Sequence, residues 1–176
     1  MKLEKLIIKP FAYLVSQVSR YAQKGFNIKS ILNYIKIDKN ISTSGRLEKE
    51  QIKLVAKKGF DVIINLAMHN KGALPKEDKI VTKNKMIYIH IPIVWKNPKI
   101  SRLKLFLNIL KALQENNKKV FIHCIMNYRV SVFIYQYKKT ILKQKNLKQK
   151  NLKFKAPKKF KPNKKWQKLI NLNIKA

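Results

Sequence analysis

The chain has 176 residues, a length typical of one domain or of one domain with a tail. Hydrophobic residues make up 45% of it, which is enough for a packed core and excludes a wholly disordered chain. Its single cysteine excludes an internal disulfide and a cysteine-based zinc cage, while 41 Lys and Arg against 8 Asp and Glu give a net charge of +33.

Residues 1–29 form an N-terminal leader in which residues 6–22 have the pattern of an amphipathic helix, interrupted near Pro10. Charges and this proline inside the apolar stretch make the leader a poor signal peptide. No apolar run in the sequence approaches the length of a transmembrane segment. We therefore expect a protein of the reducing cytoplasm.

Residues 30–140 alternate between the patterns of strands and of helices, which predicts a single α/β domain with a mostly parallel sheet flanked by helices. Continuous apolar runs such as DVIINLA mark strands that are buried on both faces. The predicted strands lie at 33–37, 41–43, 61–67, 86–91 and 120–123. The predicted helices lie at 47–58, ended by Gly59, then at 76–83, at 101–116, capped by Ser101, and at 128–139.

Residues 141–176 form a Lys-rich C-terminal segment without acidic residues. A pentapeptide of the type LKQKN recurs there, and this period matches neither a helix nor a strand, so the repeat is low-complexity sequence. Trp166, Leu169 and Ile170 follow two prolines and predict a short closing helix that docks on the domain.

The only cysteine follows the predicted strand at 120–123 and precedes a helix. Backbone N–H groups of such a loop, with a helix N-terminus behind them, bind anions and favour a thiolate at Cys124. Arg129 follows within one turn and can hold two phosphate oxygens, and Ser131 adds a hydroxyl. A lone cysteine is otherwise most often an inert buried residue, but His123 and Asn127 beside it favour a functional site.

HCIMNYRVS, at residues 123–131, resembles the active-site loop of the protein tyrosine and dual-specificity phosphatase superfamily. It is most similar to a bacterial tyrosine-phosphatase-like subgroup whose loop reads His-Cys-x-x-Asn-x-Arg-x-Ser. Further stretches that resemble this subgroup, in its order, are residues 33–52, 59–67 (GFDVIINLA), 73–78 (ALPKED), 88–98 and 160–170.

The resemblance implies that the substrate is a phosphorylated protein or small molecule. With one cysteine and three scattered histidines, we expect no metal site, and we expect no cofactor. It makes Cys124 the nucleophile, Arg129 the phosphate clamp and Ser131 the group that helps the thiolate leave, while His123 orients and activates the cysteine. The intervening residues would form the phosphate-binding loop: Ile125, Met126, Asn127 and Tyr128.

The loop and the general acid both depart from the wider superfamily. Arg129 stands one place early, so it either lies in non-helical backbone or reaches the anion by another path. Asn127 replaces a glycine, and Asn tolerates a left-handed φ.

The acidic residue that usually protonates the leaving group is missing from the stretch at 94–97. Either Glu77 or Asp78 replaces it, or the leaving group needs little protonation, as in aryl phosphates. A solvated helix start is the simpler explanation of both acids.

Other candidate residues have simpler explanations. Trp95 and Asn97 are placed to overhang the pocket, where they contact substrate or only pack the loop. His69 and His90 have no carboxylate-rich partners, so we expect no metal site, and Arg46 fits an exposed helix start.

Three functions follow from these patterns. The first is a cysteine-dependent phosphatase that forms a cysteinyl-phosphate, and the second is a phosphatase-like module that binds phosphorylated ligands without turnover. The third is a basic protein that binds nucleic acid or an anionic surface through its lysines. Coding bias explains the charge as well, because nearly all basic residues are Lys and accompany many Ile and Asn.

Overall fold

The computed structural model describes residues 27–69, 72–144 and 152–174. The predicted leader helix at 6–22 lies outside these residues. Within the described part of the chain, none of the helices has both the length and the apolar character needed to cross a bilayer.

Five strands form one mixed sheet in the order β1-β2-β5-β3-β4. All neighbouring strands are parallel except β1 and β2, which are antiparallel. Their bounds are Ile35–Lys36 for β1, Ile41–Ser44 for β2, Val62–Asn65 for β3, Ile87–His90 for β4 and Val120–His123 for β5. The α/β class and the mostly parallel sheet predicted from the alternating pattern are confirmed.

Among the described residues, five helices cover the two faces of the sheet, and a short 3-10 turn at Ile28–Ser30 precedes it. Their bounds are Lys49–Lys57 for α1, Glu77–Lys83 for α2, Ile100–Glu115 for α3, Tyr128–Gln144 for α4 and Lys164–Asn171 for α5. Alternate residues of the buried strands face opposite sides of the sheet. In β5, for example, Ile122 packs in the core beneath α3, α4 and α5. Its neighbour Phe121 packs in the core beneath α1 and α2.

Two predicted helix starts differ from the structure, whereas one predicted helix ending agrees with it. Ser101 lies inside α3, whose N-cap is Lys99, so the predicted serine cap is wrong. Lys76 precedes α2 with a φ of 54°, and α2 therefore begins at Glu77. Gly59 follows α1 with a φ of 74°, the left-handed ending that its sequence position predicts.

The helix α5 lies where the C-terminal sequence predicts a docking helix. The Asn163 side chain caps it by accepting hydrogen bonds from the N–H groups of Lys165 and Trp166, at 3.1 and 3.2 Å. Trp166 is fully buried in the core shared by α3 and α4, and its indole N–H donates to the Trp95 carbonyl at 3.0 Å. The end of the chain is thereby fastened to the loop that follows β4.

Candidate active site

The candidate site lies at the carboxyl edge of the sheet, where the strand register aligns Ser44, His123 and Asn65 on three adjacent strands. β5 leaves the sheet here and continues into Cys124. The N–H of Cys124 donates to the Ser44 carbonyl at 3.4 Å, and the N–H of Leu66 donates to the His123 carbonyl at 2.9 Å. The backbone at His123 and Cys124 is therefore bonded to β2 on one side and to the residue after β3 on the other. Only 1% of Cys124 is exposed.

The loop from Cys124 to Asn127 is fastened to the residues that follow β2. The N–H of Arg46 donates to the Ile125 carbonyl at 3.0 Å, and Gly45 forms an antiparallel bridge with Met126. The side-chain amide of Asn33 donates to the Met126 carbonyl at 3.0 Å. Arg46 itself pairs with Glu48, at 3.6 Å, near the start of α1.

Asn127 turns the loop into α4. Its φ is 61°, the left-handed conformation that the sequence analysis allows for an asparagine in place of glycine. Its buried side-chain amide donates to the Asn33 carbonyl at 2.7 Å and to the Thr43 hydroxyl at 3.1 Å. The Asn127 carbonyl accepts both the N–H and the hydroxyl of Ser131, at 3.1 and 2.6 Å, so this hydroxyl is engaged in the loop.

Gly45 allows the loop to lie against β2. A Cβ atom at this position would lie 2.8 Å from the Ile125 carbonyl oxygen and 2.9 Å from a side-chain carbon of Leu32. The side chain can move, but the carbonyl belongs to the loop that carries Cys124. This close backbone approach requires glycine.

We expect Gly45→Ala to lower the free energy of unfolding in urea by about 1–3 kcal/mol, the usual cost of overpacking. The double variant Gly45→Ala/Leu32→Ala removes the side-chain clash but leaves the clash with the carbonyl, so it should remain destabilised relative to Leu32→Ala alone. If the double variant were as stable as Leu32→Ala alone, the loop carbonyl would not be what excludes a Cβ atom at residue 45.

Arg129 is the second residue of α4 and therefore has helical backbone. Of the two alternatives for Arg129, non-helical backbone is therefore excluded, since the turn at Asn127 already ends the loop, and the alternative that Arg129 reaches an anion by another path stays a prediction. The guanidinium carbon lies 5.6 Å from the centre of the Trp95 ring, a cation–π contact. Its Nε atom is buried and has no hydrogen-bond acceptor among the described residues.

Trp95 belongs to an aromatic cluster of Trp95, Tyr128, Phe160 and Trp166. The centres of the Trp95 and Trp166 rings are 4.9 Å apart, as are those of Tyr128 and Phe160. Lys165 also binds the loop that follows β4, because its ammonium group donates to the Lys96 carbonyl at 3.0 Å. Trp95 is half-buried in these contacts, whereas Asn97 is exposed on the same loop.

Glu77 and His123 form a buried pair behind the loop. Glu77 Oε1 lies 2.7 Å from His123 Nε2, and their side chains are 2% and 4% exposed. The oxygen lies off the line of the ring N–H, so the contact is not an aligned hydrogen bond, and it is an ion pair when the ring is protonated. The simpler explanation of a solvated helix start is therefore wrong for Glu77, whereas Asp78 is exposed and fits it.

The second oxygen of Glu77 accepts from the Asn65 amide at 2.7 Å and from the Tyr88 hydroxyl at 3.2 Å. Burial by itself raises the pKa of Glu77, but the nearby ring of His123 and the hydrogen bonds from Tyr88 and Asn65 lower that pKa below the ordinary value. Burial and the nearby Glu77 raise the pKa of Tyr88, so its hydroxyl keeps the proton that it donates.

Sequence reasoning missed this network. The available signal was the position of Asn65 and His123 at the ends of two buried strands, together with an acid at the start of the helix between β3 and β4. His69 and His90 bond to each other at 3.1 Å, and His90 borders the network because its ring stacks on that of Tyr88 with the centres 6.3 Å apart. His90 Nε2 donates to the Ala67 carbonyl at 2.7 Å. Within the described ranges, no group of three possible metal ligands occurs.

Solved structures resemble this chain, although no protein-family model and no curated protein matches it. A DUF442 protein from Shewanella putrefaciens CN-32, with a provisional assignment as a phosphatase, is 33% identical, and the match covers 81% of this chain and 91% of the other with a TM-score of 0.70.

Two more distant structures share the fold. Tk-PTP in its active form is 17% identical over 78% of this chain and 93% of its own, with a TM-score of 0.61. Kinase associated phosphatase, with its catalytic cysteine replaced by serine, is 12% identical over 78% of this chain and 90% of its own, with a TM-score of 0.57. The chain has the fold of the protein tyrosine phosphatases and belongs to the DUF442 family of phosphatase-like proteins.

Proposed function

We propose that the chain is a cysteine-dependent phosphatase that hydrolyses phosphomonoesters, with phosphotyrosine and other aryl phosphates as the preferred substrates. The observation that carries the proposal is the position of Cys124. It directly follows the central strand and begins the loop that leads into α4, and this loop is fastened to the residues after β2, an arrangement that suits an anion. The buried, unpaired Nε of Arg129 is a charged donor without an acceptor, which a phosphate oxygen would supply.

In the first step, the Cys124 thiolate attacks phosphorus and forms an S–P bond. The bond from phosphorus to the ester oxygen breaks, and this oxygen leaves with the bonding electron pair. The backbone N–H groups of Ile125, Met126, Asn127 and Tyr128, together with Arg129, stabilise the charge on the phosphoryl oxygens.

In the second step, water attacks the phosphorus of the cysteinyl-phosphate and the S–P bond breaks, which releases phosphate and restores the thiolate. Ser131 assists if its hydroxyl turns from the Asn127 carbonyl toward the sulfur. This turn is local, because the N–H of Ser131 keeps its own bond to the same carbonyl.

The substrate preference follows from the missing proton donor. Glu77 is buried and ionised against His123, so it holds no proton to give, and the exposed Asp78 is the remaining acidic candidate on α2. A phenolate needs much less protonation than an alkoxide when it leaves. Trp95 and Asn97 would contact the aryl group from the loop after β4.

The test is hydrolysis by the purified protein of p-nitrophenyl phosphate, a phosphotyrosine peptide and a phosphoserine peptide of the same sequence. We expect turnover of both aryl esters, at least about tenfold lower kcat/KM for the phosphoserine peptide, and inhibition by orthovanadate. Equal rates on the two peptides would contradict the leaving-group argument. Absence of turnover on all three substrates would contradict the enzymatic proposal.

A binding module that holds phosphorylated ligands without turnover is the second candidate. Two observations favour it: the Cys124 side chain is buried, and the Arg129 guanidinium stacks on Trp95. Calorimetric binding of the phosphotyrosine peptide without release of phosphate would identify this function, and vanadate-sensitive turnover would exclude it.

A further inference from the structure

We propose that Glu77 is a positioning residue for Cys124: its carboxylate holds the His123 ring in place and in its charged form, and the charged ring favours the thiolate. The use of this thiolate in catalysis rests on the proposed function. The effect on the cysteine itself does not, and it can be measured without any phosphorylated substrate.

The first support is the way in which Glu77 is held. One carboxylate oxygen is fixed by two donors, the Asn65 amide and the Tyr88 hydroxyl, which also bond to each other at 3.0 Å. Asn65 is anchored in turn, because its side-chain oxygen accepts the N–H of Ala67 at 2.7 Å. These contacts leave the other carboxylate oxygen 2.7 Å from the ring of His123.

The second support is charge. A carboxylate that is 98% removed from solvent is stable only beside a cation or several donors, and here the ring of His123 supplies the opposite charge when it is protonated. The titratable groups among the contacts of Glu77 are His123 from β5 and Tyr88 from β4, and Asn65 from β3 is neutral. Asp78, the neighbouring acid on α2, is exposed.

The third support is the position of His123. It directly precedes Cys124, and its Nδ1 is buried without a hydrogen-bond partner among the described residues. Side chains of adjacent residues at the end of a strand face opposite sides, so a positive charge on the His123 ring would act on the sulfur across the backbone and favour its ionised form. The loss of the Glu77 charge would leave His123 as an unpaired buried cation, and the ring would then give up its proton.

The experiment uses the fact that the sequence contains one cysteine, so alkylation of the full chain by iodoacetamide, followed by intact mass, reports Cys124 alone. The rate is measured from pH 4 to pH 10 to obtain the pH midpoint of the reaction. We expect Glu77→Gln to raise this midpoint by about one pH unit and to slow alkylation about tenfold at pH values below it.

The charge argument also predicts how the changes combine. His123→Gln should raise the midpoint by a similar amount, and Glu77→Gln added to His123→Gln should raise it no further, because the two residues act as one unit. A full additional shift in the double variant would overturn the inference, since Glu77 would then act on Cys124 without His123.

Asp78→Asn is the matched control, because it removes the same charge one residue further along α2 and should leave the midpoint unchanged. Circular dichroism and thermal unfolding check that each variant folds. A folded Glu77→Gln variant with an unchanged midpoint, or an equal shift in Asp78→Asn, would overturn the inference. If Glu77→Gln does not fold, Tyr88→Phe is used instead, because it removes one of the donors to the Glu77 carboxylate. An upward shift of the alkylation midpoint by less than about one pH unit then supports the inference, and an unchanged midpoint overturns it.

The two proposals can fail separately. A wild-type chain without phosphatase turnover but with the expected alkylation profiles would contradict the proposed function alone. A chain that hydrolyses aryl phosphates, but whose midpoint does not respond to Glu77→Gln, would contradict the role of Glu77 alone.

Discussion

Cys124→Ser should lower kcat for p-nitrophenyl phosphate by on the order of 10⁴-fold or more, as is usual when a catalytic nucleophile is removed. A serine hydroxyl in this position keeps its proton at neutral pH, so the attacking anion is lost. The loop N–H groups and Arg129 remain, and the variant should therefore still bind the phosphotyrosine peptide. Steady-state kinetics and calorimetry on the same preparation measure the two properties.

Lys104→Gln, on the exposed face of α3, is the control for that experiment because it changes one exposed charge outside the loop. It should retain wild-type kcat. Turnover by Cys124→Ser within about tenfold of wild type would mean that the sulfur is not the nucleophile. Loss of peptide binding together with turnover would instead mean that the substitution disrupts the loop.

Trp166→Ala should lower the free energy of unfolding by about 3–5 kcal/mol, the usual cost of removing a fully buried aromatic side chain. The indole packs against Trp95 and Phe133, with ring centres 4.9 and 6.5 Å away, and its N–H bonds to the Trp95 carbonyl. Its removal opens a cavity beneath α5 and also frees the loop on which Arg129 stacks. Urea unfolding measures the stability, and kcat for p-nitrophenyl phosphate measures the effect on the loop.

Two variants separate the parts of this effect. Gln167→Ala, next to Trp166 and exposed, should change stability by less than about 0.5 kcal/mol. Trp166→Phe keeps much of the packing but loses the indole donor. Its loss of stability should therefore lie between those of Gln167→Ala and Trp166→Ala. A cost below about 1 kcal/mol for Trp166→Ala would show that α5 is not integral to the fold.

The buried strands were predictable because their sequences are continuously apolar. β3 and β5 are buried along their whole length, as the runs around Ile63 and Phe121 indicate. The order of the strands was not predictable, because the apolar pattern of a strand shows which of its faces are buried but not which strands lie beside it. The exact helix starts also differ, since Lys99 and Lys76 precede α3 and α2 without a side-chain cap that sequence could reveal.

The site was predictable only where its residues are adjacent in sequence. The loop motif identified Cys124 together with its neighbours, and the left-handed backbone of Asn127 followed from the chemistry of asparagine. The contact of Arg129 with Trp95 joins two distant segments, as does the pair of Glu77 and His123. Such contacts depend on strand register and tertiary packing, which no local pattern contains.

The position of β5 between β2 and β3 has a consequence for synthesis on the ribosome. The central strand is the last of the five to emerge, so the nascent chain first exposes the inner edges of β2 and β3 without their shared partner. Unpaired apolar strand edges are the usual starting point of aggregation. The interval between the emergence of β3 and that of β5 is therefore when a growing chain most needs protection by a chaperone.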